Sequence, residues 1–319
     1  MPSEQPRTRG LGRVAFASLA FAIFAPVGLC LVPLGGLLAA SRPRTRSEIL
    51  VAALVCGLAL VWLLEPGEPP DQLARTVAVI GGATFVLATL FSGSSVTHRA
   101  LLAAASSAVA MMLLFPALGW RWDAIRWWVE HRTGFAVRVA LGQIAAAGAA
   151  GPGGASLAEM ERWFVSGVRV LADQYAATLV IQLLAGLSLT AAIYHRVHRQ
   201  PRGAPPGRFR DFRFSEHLGW VGAVSLLVVL IPRLAAAKGA ALNLLVVTGL
   251  LYALRGMAVA AFGITLLGGA GCGTVALFVL LMLFVLPAVV AGAIVLGVVD
   301  AGMDLRKRWR SRDHGNHPA

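Results

Sequence analysis

The apolar residues of this chain are gathered into long runs, without the regular alternation with polar residues that a half-buried helix or strand requires. The run at 273–299, GTVALFVLLMLFVLPAVVAGAIVLGVV, contains no charged residue. An apolar run of about 18 residues or more is long enough for a helix to cross the hydrocarbon of a bilayer. Strands of a membrane barrel would alternate polar and apolar residues over about ten positions, and no segment does so. The pattern predicts an all-α, polytopic transmembrane helix bundle.

Other apolar runs extend this prediction over most of the chain. They lie at 14–40, 49–64, 76–92, 100–118, 168–194, 217–236 and 240–268. Pro26 and Pro33 interrupt the first run, which is therefore either one long kinked helix or a pair of short helices joined near Pro26. Counting these alternatives gives eight to ten membrane crossings.

Residues 119–166 differ from the apolar runs because tryptophan and charged residues are mixed there. The tryptophans are Trp120, Trp122, Trp127 and Trp128. Tryptophan favours the headgroup level of a bilayer, so we interpret this segment as an interfacial or external helix. Spacings of three and four residues predict ion pairs of Arg126 with Asp123 and Glu130. A capping box that starts at Ser156 predicts a following helix that runs to about Tyr194.

Composition and charge add an orientation to this layout. Of the 319 residues, 57% are hydrophobic and 13% are charged, with a net charge of +13. Arginine and lysine lie in short clusters between and after the apolar runs, and no basic patch is interleaved with stacking aromatic residues, so we expect no nucleic-acid partner. By the positive-inside rule, 41–48 is cytoplasmic and the more acidic segment 65–75 is external. We therefore predict a cytoplasmic (inner) membrane protein with both termini in the cytoplasm.

The same clusters divide the chain into segments. We predict a basic leader at 1–13, an N-terminal membrane region at 14–194, a basic cytoplasmic loop at 195–215, a C-terminal membrane region at 216–300 and a basic tail at 301–319. Three apolar runs lie between the loop and the tail, and three crossings cannot return the chain to the same side. Either one run is not a simple span, or the middle run breaks at Arg255-Gly256 into two short helices.

Several short motifs in the C-terminal third resemble a known family. They are FRDFRF at 209–214, Asn243 in an apolar helix, LYALRGMAV at 251–259 and LGVVDAGMDLR at 296–306. They resemble the YybS-like family of uncharacterised bacterial membrane proteins, although Arg255 stands where we expect a polar amide. That resemblance implies a multi-pass membrane protein and no particular reaction. The N-terminal two-thirds is similar in layout to the substrate-binding subunits of energy-coupling-factor vitamin transporters, an analogy of fold alone.

Ionisable residues inside apolar segments are the candidates for function, because their burial in lipid is expensive. Arg255 lies beside Tyr252 and Gly256 and three turns after Asn243. It is either part of an anion-binding site in a cavity or an arginine that extends to the interface from a helix end. These four residues form the predicted ligand-binding set.

A second group of ionisable residues ends the last apolar run. Asp300 and Asp304 are four residues apart, and Arg306 follows them. The two carboxylates either bind a cation, act as an acid/base pair or have a structural role. In the structural interpretation Asp304 pairs with Arg308 and Asp300 lies at the membrane boundary.

No catalytic, metal-binding or nucleotide-binding motif is present. The glycine series at 268–273 lacks the Lys-Ser/Thr ending of a phosphate loop, and the isolated cysteines Cys30, Cys56 and Cys272 make no C-x-x-C pair. We therefore expect neither a cofactor nor an enzyme. The sequence favours a small-molecule binding or transport-related subunit. The alternative is a non-catalytic scaffold or regulatory membrane protein with a protein partner at the basic loop and tail.

Overall fold

The computed structural model describes residues 11–146, 154–266 and 286–309, and within these ranges the regular structure is entirely helical. In chain order the α-helices are α1 (Leu11–Phe24), α2 (Gly28–Ala40), α3 (Arg46–Leu64), α4 (Pro69–Phe91), α5 (Val96–Ala117), α6 (Trp122–Ala146), α7 (Gly154–Asp173), α8 (Tyr175–Val197), α9 (His217–Leu230), α10 (Lys238–Leu266) and α11 (Leu286–Met303). The chain forms two compact units that divide between Pro206 and Gly207. We call residues up to Pro206 unit 1 and the rest unit 2.

Long apolar helices confirm the predicted membrane bundle. In the described part of the chain, five helical segments are long and apolar enough to cross a bilayer, namely α3, α4, α5, α8 and the segment Pro232–Ile264, which joins a 3₁₀ helix to most of α10. Apolar residues also cover their outer surfaces; on α3, Leu50, Leu54, Leu58 and Val61 are all exposed, at spacings of three or four residues. Such a face is unfavourable in water and suits contact with lipid.

The first apolar run forms two helices instead of one kinked helix. α1 ends at Phe24 and α2 begins at Gly28, so the chain turns at Pro26. α2 then packs against α3, α4 and α8. Two glycines allow this close packing: a Cβ on Gly82 of α4 would contact Pro33, and one on Gly186 of α8 would lie within 2.9 Å of the Leu29 carbonyl oxygen. Small residues at helix contacts are typical of membrane bundles.

Hydrogen bonds bring two basic segments together at one end of unit 1. The Ser41 hydroxyl lies 2.5 Å from the Tyr194 hydroxyl, which also accepts the Arg202 N–H at 3.0 Å. Glu48 caps the start of α3 and accepts the Arg199 N–H at 3.1 Å. Residues 41–48 therefore lie beside residues 194–202, as their shared basic character suggested.

The segment 65–75 lies at the opposite end of unit 1. Its Asp71 pairs with Arg132 of α6 at 3.2 Å, and its Pro70 carbonyl accepts the Tyr175 hydroxyl at 3.2 Å from the start of α8. Because α3 separates 41–48 from 65–75 by its full length of 19 residues, the basic and acidic segments are on opposite ends of the bundle.

Helices α6 and α7 pack on each other, and two ion pairs join them. Arg126 Nε lies 2.8 Å from Asp173 Oδ1, and Arg169 Nε lies 3.5 Å from Glu130 Oε1. The prediction that Arg126 pairs with Asp123 and Glu130 within α6 was wrong, since helix packing brings Asp173 into reach. The position of this helix pair at the bilayer interface stays a prediction.

The helix predicted from Ser156 to Tyr194 is interrupted. α7 already begins at Gly154 and ends at Asp173, where Gln174 leaves helical geometry with φ −100° and ψ 18°, and α8 begins at Tyr175. The single long helix was therefore wrong, and the amphipathic α7 and the apolar α8 are separate elements.

The described residues of unit 2 form α9, a 3₁₀ helix at Pro232–Ala237, α10 and α11, with a 3₁₀ turn at Phe209–Asp211 packed against α10. α10 continues through Arg255-Gly256, so the alternative in which the middle run breaks there was wrong. α9 has 14 residues and is therefore about 21 Å long, which is less than the hydrocarbon thickness of a bilayer. Its length fits the alternative in which one apolar run is not a simple span. The glycine series at 268–273, with Cys272, lies outside the described residues.

Candidate functional site

Arg255 is buried in unit 2 and paired with an aspartate. Its side chain is 4% exposed on α10. Its Nε donates to Asp300 Oδ2 at 2.8 Å, and its Nη2 donates to the main-chain oxygen of Asp300 at 3.1 Å. The interpretation of Arg255 as an interfacial arginine at a helix end was therefore wrong. Asp300 is fully buried on α11, and its position at the membrane boundary stays a prediction.

A second guanidinium group, that of Arg306, reaches the same carboxylate oxygen. Its Nη2 donates to Asp300 Oδ2 at 2.8 Å, and the residue is fully buried. α11 ends at Met303, and Asp304 then adopts a φ of +44°. Aspartate tolerates this left-handed conformation better than most residues. The turn brings Arg306 back toward α11, although it is only six residues beyond Asp300.

Arg306 also holds the chain segment that precedes α9. Its Nη1 donates to the Arg210 carbonyl at 2.9 Å, and both terminal nitrogens lie 3.1 Å from the Phe212 carbonyl. Two residues further on, the Phe214 ring lies 5.4 Å from Arg255 Cζ, and Tyr252 meets that ring edge-on at 5.1 Å. We call Arg255, Asp300 and Arg306 the buried charge centre.

The buried charge centre carries an excess of positive charge. Two guanidinium groups share one carboxylate, and a second ion pair, Arg213 with Asp304 at 2.7 Å, is half exposed beside it. In low dielectric an uncompensated charge is costly. Three buried atoms of the centre, Arg255 Nη1, Arg306 Nε and Asp300 Oδ1, have no hydrogen-bond partner in the described part of the protein. Two of the three are N–H donors suited to an anion.

The structure brings only some of the predicted ligand-binding residues to this centre. Tyr252 contacts the Phe214 ring, which in turn lies against the Arg255 guanidinium group of the centre. Asn243 is twelve residues before Arg255 on the continuous α10, which places the two about 18 Å apart, and its side chain donates to the Gly239 carbonyl. Gly256 lies directly against the Ala293 carbonyl of α11, so it serves helix packing.

The aspartates also have roles that local spacing did not reveal. Asp304 accepts two hydrogen bonds from Arg213, which precedes it by 91 residues, and Asp300 is shared by Arg255 and Arg306. Sequence reasoning missed Arg213, Phe214 and the two carbonyl groups that Arg306 holds. The FRDFRF motif at 209–214 contains all of them and was the available signal.

The chemical property of the buried charge centre is that two guanidinium groups retain N–H donors without partners in the described residues. Arginine forks match carboxylate and phosphate oxygens in two-point hydrogen bonds. Among the described residues, no group of three or more His, Cys, Asp or Glu side chains is placed to hold a metal ion. The cation-binding interpretation of Asp300 and Asp304 has no support from their neighbours, because each aspartate is already paired with arginine.

Comparison with families of known proteins gives a match over most of the chain. A sequence model of the family described as "Predicted membrane protein (DUF2232)" matches residues 14–301. No curated protein and no solved structure matches the chain.

Proposed function

This chain belongs to the DUF2232 family of predicted membrane proteins, and from that premise we propose that its buried charge centre binds a small anionic molecule. The protein would then act as a membrane-embedded binding subunit, related to transport. We further propose, as finer points of identity, that the family is the YybS-like group and that the protein resides in the cytoplasmic membrane with both termini inside.

One observation carries this proposal: two buried guanidinium groups face a single carboxylate and retain unpaired N–H groups. An anion that reached Arg255 Nη1 and Arg306 Nε would satisfy both donors and balance the charge. A carboxylate is the class that we favour, because Asp300 already shows that this geometry accepts one. The layout of unit 1, with apolar helices α1 to α5 and α8, supports the analogy to transporter binding subunits only at the level of fold.

The test uses the full-length protein, purified in detergent, and follows thermal unfolding by tryptophan fluorescence. Sodium acetate, succinate and benzoate are compared with sodium chloride at equal ionic strength. We expect at least one carboxylate to raise the melting temperature by about 2–4 °C at saturating concentration. Arg213→Gln, which removes an exposed arginine near the centre, should keep that response.

A triple variant separates binding from folding. Replacing Arg255 by Met, Asp300 by Leu and Arg306 by Met removes all three charges together, and such replacements of buried ion groups often preserve or raise stability. We expect the triple variant to fold and to lose the carboxylate response. A response that survives in this folded variant, or no response in the native chain to any of the three salts, would overturn the proposal.

The second candidate function is that of a non-catalytic scaffold or regulatory membrane protein. One feature favours it: Arg306 ties the 210–212 carbonyls to α11, so the buried charge centre also joins separate parts of unit 2. In that case a partner would bind at the basic loop or tail. Loss of a stable co-purifying protein in a chain truncated after Arg306, with no carboxylate response in the full chain, would favour the scaffold.

A further inference from the structure

Unit 1 contains a buried arginine that takes part in none of the ion pairs found in the described ranges. Arg99, in the first turn of α5, is 1% exposed. Its Nη2 donates to the Ala204 carbonyl at 2.8 Å, and its Cζ lies 5.8 Å from the Phe85 ring. Its Nε is buried and has no hydrogen-bond partner in the described protein. A charge of this kind is costly unless an anion can balance it.

An exposed glycine lies directly against the Arg99 guanidinium group. Gly203 is exposed and has a φ of +76°. A Cβ at this position would overlap Arg99 Nη1 and would come within 3.1 Å of Thr89. Glycine is therefore required both by the backbone conformation and by the arginine beneath it.

Exposed arginines lie on the chain segments that meet at this end of unit 1. A hydrogen bond joins Glu48 to the Arg199 N–H, and another joins the Tyr194 hydroxyl to the Arg202 N–H, so these segments lie together. We call this surface the basic end of unit 1, and its exposed arginines are Arg42, Arg44, Arg46, Arg196, Arg199 and Arg202.

The buried carboxylate at the basic end does not balance this charge. Glu48 Oε2 accepts the main-chain N–H groups of Arg44 and Thr45, and Glu48 Oε1 accepts that of Arg199. Nearby, His198 is 5% exposed, and its Nε2 is buried without a hydrogen-bond partner in the described residues. The basic end thus has two buried nitrogen atoms that lack partners and an excess of positive charge.

From this geometry we infer that the basic end of unit 1 holds a phosphate group above Gly203, with Arg99 beneath it and Arg199 and Arg202 at its sides. A phosphate presents three oxygens and up to two negative charges to a cluster of arginines, which suits donors that converge from several segments. The phosphate could belong to a phospholipid headgroup or to a soluble phosphate compound. This site is separate from the buried charge centre of unit 2.

Two arms of one experiment distinguish these sources. In the first, sodium phosphate is added to the purified full-length protein in detergent, against sodium chloride at equal ionic strength. In the second, the protein is placed in phosphatidylcholine nanodiscs with or without phosphatidylglycerol. We expect a rise in melting temperature of about 2–4 °C in at least one arm. A rise in the first arm assigns soluble phosphate, and a rise confined to the second assigns the lipid headgroup. No rise in either arm would overturn the inference.

Matched variants locate the effect. Arg99→Gln should abolish the rise, whereas Arg121→Gln makes the same charge change at an exposed position beyond the other end of α5, outside the basic end, and should keep it. Arg255→Gln in unit 2 should also keep it. A rise that persists in Arg99→Gln would overturn the inference, as would one that disappears in Arg255→Gln.

A glycine variant covers the case in which Arg99→Gln does not fold. Gly203→Ala retains Arg99 but places a methyl group where its guanidinium lies, so we expect the rise to fall to less than half. Gly207→Ala, where a Cβ would meet nothing within 4 Å, is the control. Equal responses from the two glycine variants would contradict a site above Gly203.

Discussion

Gly256 and Gly297 bring the backbones of α10 and α11 into direct contact. A Cβ on Gly256 would overlap the Ala293 carbonyl, and a Cβ on Gly297 would overlap the Tyr252 carbonyl. Either added Cβ would also lie 3.0–3.1 Å from the main-chain nitrogen of the other glycine. Arg255 is next to Gly256, and Asp300 is about one turn after Gly297. Because the two helices approach so closely at these glycines, the side chains of Arg255 and Asp300 can meet.

Alanine at Gly256 should therefore separate the two helices. We expect Gly256→Ala to lower the free energy of unfolding by about 1–3 kcal/mol, because backbone atoms have little freedom to move aside. Thermal unfolding in detergent measures the effect. Gly292→Ala, also on α11, is the control, since a Cβ there would meet nothing within 4 Å. It should be neutral or slightly stabilising. Equal melting temperatures for the two variants would show that the close contact does not contribute to stability.

Removal of the charge on Asp300 should be much more damaging than its removal on Asp304. Asp300→Asn leaves Arg255 and Arg306 buried without a counter-charge, for which we expect a loss of about 3–5 kcal/mol. Asp304→Asn breaks an ion pair whose side chains are 44% and 40% exposed, and such pairs contribute about 0–1 kcal/mol. Unfolding by denaturant in mixed micelles compares the two. Similar losses would contradict the burial of Asp300.

The hydroxyl groups of Ser41 and Tyr194 should contribute jointly to the free energy of unfolding. Tyr194 is fully buried, and its hydroxyl serves both Ser41 and the Arg202 N–H. We expect Tyr194→Phe to cost about 1–3 kcal/mol, because the Arg202 N–H loses its acceptor. A double-mutant cycle with Ser41→Ala should show a coupling of about 0.5 kcal/mol or more. Strictly additive losses would show that the two hydroxyls do not interact.

Reporter fusions test the proposed orientation. We expect a fusion at residue 70 to report the external side and fusions at 205 and 319 to report the cytoplasm, because arginine clusters favour the cytoplasmic side. The measurement is the activity of paired reporters, one active outside and one active inside. Residues 70 and 205 on the same side would also conflict with their positions at opposite ends of unit 1. An external residue 205 would reverse the orientation.

The local pattern predicted the elements of the fold well where neighbours in sequence determine them. Pro26 separates α1 from α2, and charge-free runs became apolar helices. The local pattern did not predict the helix correctly at Arg255-Gly256, where a break was one alternative. α10 continues there because Asp300 neutralises part of the charge of Arg255 and α11 packs against Gly256. The sequence singled out Arg255 as a candidate ligand-binding residue and Asp300 and Arg306 as a separate, possibly structural group, but it did not predict that the three pair with one another.

Sequence by itself determined that this protein resides in a membrane, because uncharged runs of this length can satisfy their backbone hydrogen bonds in lipid only as helices. It also determined where charge accumulates along the chain. Only the tertiary structure decided which charges meet: Arg255 with Asp300 over 45 residues, Arg306 with the 210–212 carbonyls, and Glu48 with the Arg199 N–H. Such pairings depend on how closely helices pack and where chain segments return, and these distances are not encoded in local spacing.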